Sequence, residues 1–174
     1  MSFPHCVTAT AAMTILALLL AGPVHATDVS MAGGAVTFHT PDTWQDIMQT
    51  EGDPEARVFQ VPDPSPAGKN NLARVTVTVT QTPDIASFNK YKDAATAKAT
   101  LLPSYRASSG TTDPNEVLYS ARENDSEYHY VEHYWFKNGR AIQLRCVRPG
   151  QSDSGSKWTL AFDEGCAAIT SQLK

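Results

Sequence analysis

From Leu72 to Thr80 the chain alternates, with Ala73, Val75, Val77 and Val79 on one side and Arg74, Thr76, Thr78 and Thr80 on the other. β-Branched residues at a period of two predict a strand with one wet face. The same period predicts shorter strands over Ala35–His39 and Arg57–Val61, the first closed by Thr40-Pro41-Asp42-Thr43-Trp44. Pro41 cannot donate to a ladder, so Trp44 is expected to begin a turn or short helix. Between Pro62 and Asn71 the composition is that of a loop.

After Asp84, a residue suited to cap a helix, the period changes. Phe88, Tyr91, Ala95, Lys98 and Leu102 recur at spacings of three and four, which predicts an amphipathic helix over Ile85–Leu102, stopped by Pro103. Residues 108–115 read as loop. Three strands follow in close order: Glu116–Glu123, Glu127–Lys137 and Arg140–Arg148. Asn124-Asp125-Ser126 marks the first turn, and Asn138-Gly139, both tolerant of positive φ, marks a tight hairpin. Trp158, Phe162, Cys166, Ile169 and Leu173 then form one stripe on a closing helix, weakened at Gly165. The order predicts an α+β domain: a mainly antiparallel β-sheet with two helices packed on its apolar faces.

The start of the chain is read as an address. Ala9–Ala21 is an apolar run of 13 residues, too short to span a bilayer, and Val24-His25-Ala26 offers a cleavage site. Residues 1–26 are therefore expected to leave as a signal peptide, although Met1–Thr8 holds no Lys or Arg. One domain, 27–174, remains in the periplasm or outside the cell, with no stable membrane insertion. Cys6 leaves with the signal. Cys146 and Cys166 then form a pair suited to a disulfide in an oxidising space.

Composition narrows the function further. Fourteen Lys and Arg against eighteen Asp and Glu give a net charge of −4, which excludes a nucleic-acid binder driven by positive charge. It weakly favours a basic protein partner. No phosphate loop or calcium loop is present, and no cofactor is implied. His129 and His133 have the spacing of a metal pair on a helix. The segment alternates like a strand, which separates the two rings by about 13 Å, too far for one zinc ion. Asp153-Ser154-Gly155 looks like a nucleophile segment but lies in a polar loop.

The aromatic cluster is the remaining candidate. Tyr128, Tyr130, Tyr134 and Phe136 share a face with Glu132, while His129, Val131, His133 and Trp135 share the other. With Glu and His among them both faces cannot be fully dry. Tyr128, Tyr130, Tyr134, Phe136, Arg140 and Arg145 are thus a candidate binding surface, while the favoured reading is that a helix covers the row, because most aromatics of small domains are buried.

The segment Val36-Thr37-Phe38-His39-Thr40-Pro41-Asp42-Thr43-Trp44 resembles the opening strand of the PsbP-like family. The Val-rich strand at Arg74–Thr80, the Phe88–Leu102 helix, the strand pair around Asn138-Gly139 and the ending Ile169-x-x-x-Leu173 are similar too. That family includes a photosystem II subunit, a nuclear-transport factor and bacterial envelope proteins of the DcrB type. The resemblance implies an α/β/α sandwich that binds proteins without a shared active site. The Cys pair and the missing lipid-anchored Cys depart from it. The reading is of a non-catalytic periplasmic protein-binding module, either an immunity protein against an interbacterial toxin or a chaperone-like accessory. The alternatives are a small hydrolase using His129, Glu132, His133 or Ser154, and a small-molecule carrier using the Tyr/Trp face.

Overall fold

The computed structural model describes residues 26–174; the expected signal segment lies, but for Ala26, outside the described residues. The elements in order are β1 (Ala26–Met31), β2 (Val36–Pro41), β3 (Gln45–Thr50), β4 (Glu55–Gln60), β5 (Arg74–Gln81), α1 (Ile85–Ala99), β6 (Arg106–Ala107), β7 (Glu116–Glu123), β8 (Ser126–Lys137), β9 (Arg140–Pro149) and α2 (Gly155–Leu173). β1 and β2 form a hairpin. The other strands form one antiparallel sheet in the order β3-β4-β5-β9-β8-β7-β6.

The alternation read in the sequence decides the layers. Val75, Val77 and Val79 of β5 are buried with Phe59, Ile142, Leu144, Cys146 and the α2 stripe Phe162, Cys166, Ile169 and Leu173. Val29, Met31, Val36, Phe38 and Trp44 close this core from the side of the β1–β2 hairpin. Each fully buried Leu, Ile, Val or Phe contributes about 1.5–3 kcal/mol. On the opposite face Phe88, Tyr91 and Ala95 of α1 pack against Tyr134, Phe136 and Ala141. One helix therefore lies on each face of the sheet, the three-layer arrangement that the resemblance implied.

Local chemistry fixes the ends. Asp84 accepts a hydrogen bond from Ser87 N at 2.7 Å, capping α1. Both two-residue loops have positive φ throughout, 46° and 68° at Asn124-Asp125 and 49° and 69° at Asn138-Gly139. That geometry matches the right-handed twist of the strands that they join. Cys146 and Cys166 are bonded, with Cα atoms 6.3 Å apart, so α2 is stapled to β9 as expected.

Several expectations need correction. The helix stripe passes through buried Ala99 instead of Lys98, which is exposed. α1 ends at Ala99, and three further turn bonds carry the chain to Leu102, which still packs inward. Trp44 belongs to a turn and not to a helix. Its N–H closes a turn on Pro41 O at 2.9 Å, and β3 follows at once. β1, β3 and β6 were not expected. All six residues of β3 are exposed, so it carries no buried period to read. Gly165 is not merely a weak point of α2. A Cβ there would lie 2.6 Å from Trp44 Cζ2, so the absent side chain lets the indole reach the helix backbone.

Candidate binding groove beside the closing helix

Two clusters carry the polar chemistry, one on each face of the sheet. The first is centred on Glu132, which is only 1% exposed. Its carboxylate accepts from Tyr119 OH at 2.6 Å and Arg145 Nε at 2.7 Å through Oε1, and from Tyr134 OH and Gln143 Nε2 (2.9 Å) through Oε2. Tyr91 OH of α1 donates in turn to Gln143 Oε1 at 2.9 Å. The hairpin register brings the main pair together, because Glu132 on β8 lies directly opposite Arg145 on β9. Desolvating a carboxylate and a guanidinium costs several kcal/mol each, and four charge-assisted or hydroxyl bonds offset that cost only if every oxygen is satisfied. Both are. Burial first, and then the negative charge of Glu132, push the Tyr119 and Tyr134 hydroxyls well above the usual phenol range. The phenols stay neutral donors.

A second ion pair extends this face. Arg74 grips Glu123 through two bonds of 3.0 and 2.6 Å, and Tyr130 OH donates to the same carboxylate. Tyr119 and Tyr130 stack with centroids 4.4 Å apart. The row offered as a possible surface is part of the interior, covered as the favoured reading has it: Tyr128, Tyr130 and Tyr134 are buried. Phe136 is half-buried against Phe88, and Arg140 and Arg145 are partly exposed. α1 and the Tyr–Glu bonds solve together the conflict of a charged residue in an aromatic row.

The opposite face is open where the tyrosine face is closed. α2 packs against β2 and β9 and leaves an open groove along its flank, lined by residues of β7 and β8. The resulting groove has a volume of about 570 Å³. Leu118, Val131, Phe162 and the Cys146–Cys166 disulfide supply its apolar surface. His129, His133, Glu116 and the Arg148–Asp163 pair supply its polar groups. Arg148 holds Asp163 by two bonds of 2.8 and 3.1 Å, a second tie between β9 and α2 beside the disulfide. His133 Nε2 lies 3.7 Å from Glu116 Oε1 and its ring stacks on Trp135. Burial lowers its pKa more than Glu116 raises it, so the ring enters the groove as a neutral imidazole. His129 is exposed, and Gly150 passes so near that a Cβ would lie 3.0 Å from His129 Nε2.

The residues considered for hydrolysis are not brought together. His129 and His133 face the groove, whereas Glu132 points to the other side of the same strand. Ser154 donates to Asp63 Oδ1 at 2.6 Å, and Ser152 donates to Oδ2 at 2.6 Å. Burial would raise the Asp63 carboxyl, but the bonds from Ser152, Ser154 and Ser65 outweigh it and hold the pKa at about 2. This knot, with Trp158 Nε1 donating to Pro62 O at 2.9 Å, fastens the Pro-rich loop to the start of α2. Among the described residues no three His, Cys, Asp or Glu side chains gather as a metal site requires. Nor is any described helix long and apolar enough to cross a membrane.

The groove was not legible as such, since it depends on where α2 crosses the sheet. Its sequence signal was the second face of β8, the half-polar row His129, Val131, His133 and Trp135.

No family description and no curated protein matches the chain. Solved structures do. The Ran-binding protein Mog1p of Saccharomyces cerevisiae is 10% identical, covers 87% of this chain and 100% of its own, and has a TM-score of 0.49. LpqN of Mycobacterium tuberculosis, involved in cell envelope biogenesis, is 16% identical over 88% of this chain and 85% of its own, at 0.47. The cyanobacterial PsbP of Synechocystis is 12% identical over 87% and 95%, at 0.44. The likeness to this Mog1p/PsbP group is one of architecture alone.

Proposed function

We propose that the protein is a non-catalytic, periplasmic binding module that holds another protein in the groove between α2 and strands β7 and β8. One observation carries this reading: a sheet that is sealed by α1 on one face is left open beside α2 on the other, with half-buried Leu118 and Val131 lining the gap. Apolar surface left uncovered at the centre of a polar rim is the usual anatomy of a protein contact. The polar groups present suit recognition. His133 is a neutral donor or acceptor, and Arg148 is already committed to Asp163. The disulfide supports an oxidising compartment. Within that class, neutralising a toxin and assisting an envelope component are the two roles considered.

A second reading has its own support. A volume of about 570 Å³ lies in the range of small-molecule sites, which suits a carrier. A photo-crosslinking residue placed at Ala167, an exposed groove position on α2, separates the two. Protein binding predicts one crosslinked protein from position 167 and none from Leu160, exposed outside the groove lining. A carrier predicts no crosslinked protein and a compound copurifying with the wild type but lost from Ala167→Trp. Neither result would overturn the groove as the binding site.

A further inference from the structure

We propose that β3, the edge strand Gln45–Thr50, is a docking strand for an extended, basic segment of another protein. The two ends of the seven-stranded sheet are built differently. At one end β6 has only two residues, Arg106 and Ala107, which blunts the edge. At the other, β3 pairs with β4 alone, and all six of its residues are exposed. The register skips Ile47, which has no partner on β4. An edge of this kind presents a row of unpaired backbone N–H and C=O groups, which an incoming strand can complete. Ile47 and Met48 are 46% and 51% exposed in the middle of it, two adjacent large apolar side chains on an edge whose single charge is Asp46.

Charge selects the occupant. Asp42, Asp46, Glu51, Asp53 and Glu55 are the only charged side chains from the end of β2 into β4, and the first basic residue is Arg57. Among the described residues Asp42 and Asp46 take part in no salt bridge, while Glu55 is occupied by Ala32 N and by Arg57 at 3.9 Å, and Asp53 by Gln81 N. Residues 42–56 thus carry five acids and no base. A second copy would lay carboxylates against carboxylates, which disfavours self-pairing, whereas Lys or Arg alternating with apolar residues would meet acid with base and Ile47 and Met48 with carbon. The site is separate from the α2 groove, and neither depends on the other.

The test uses the purified ¹⁵N-labelled protein and a synthetic seven-residue peptide alternating Lys and Val. Amide shifts confined to residues 42–51 are expected, together with loss of binding when Glu replaces Lys in the peptide. Asp46→Lys with Glu51→Lys should weaken binding about tenfold at unchanged melting temperature, as two opposed charge pairs would. Ala167→Trp should leave it unchanged. Absence of shifts, shifts in the groove residues, equal binding of the Glu peptide, or a concentration-dependent dimer through β3 would each overturn the proposal.

Discussion

Glu132 shows how one side chain settles the character of a whole face. In a row of tyrosines it looks like a mark of exposure, yet both oxygens are satisfied inside the protein by Tyr119, Tyr134, Gln143 and Arg145. Replacing it leaves a guanidinium and two phenols without their acceptor. Glu132→Ala is expected to cost about 3–5 kcal/mol in urea unfolding, the range for breaking a buried pair. Asp63 works on the same principle nearer the surface. Its carboxyl is held at about 2 against an ordinary value of 3.8, so it contributes stability above about pH 4, and this is lost as pH falls through 2. An acid titration of wild type against Asp63→Asn should show the gap in melting temperature at neutral pH closing below pH 2.

At the scale of elements, periodicity is legible for most elements that bury a face; β1, with only Val29 and Met31 buried, is the exception. β5, β7, β8, β9, α1 and α2 all bury at least one side and were legible. β3 buries nothing and was missed. Once Asn138-Gly139 is taken as the turn, Lys137 pairs with Arg140 and the register runs on to place Glu132 opposite Arg145. The ion pair was therefore present in the spacing. Gly165 was not readable in this way, because its role depends on Trp44, far away in the chain and seated against the helix. Ala there would gain up to about 1 kcal/mol of helix propensity and meet overpacking of about 1–3 kcal/mol. A thermal melt of Gly165→Ala should accordingly show a net loss, against the direction that a free helix would give.

The whole molecule is a sheet closed on one side and half-closed on the other. On the open side α2 is held by the Cys146–Cys166 bond, the Arg148–Asp163 pair and the stripe ending at Leu173. Removing the disulfide releases a loop of 20 residues, worth about 3 kcal/mol in the chain-entropy model. Cys146→Ser with Cys166→Ser should lower the unfolding free energy in urea by that amount, which at an m-value of about 1–3 kcal/mol/M moves the midpoint by about 1–3 M. The same staple lines the groove, so the substitution should also weaken whatever crosslinks at Ala167.

The sequence by itself determined the two helices, the longer strands, the two tight turns, the disulfide partners and the α+β class, because each follows from local spacing or from the chemistry of adjacent residues. Tertiary structure alone decided which helix lies on which face, that the tyrosine row is interior, and that the histidine row lines an open groove. The physical reason is that an alternating strand specifies two faces without saying what will cover either. That choice is made by packing between segments far apart in the chain, such as Trp44 on Gly165 and Tyr91 on Gln143.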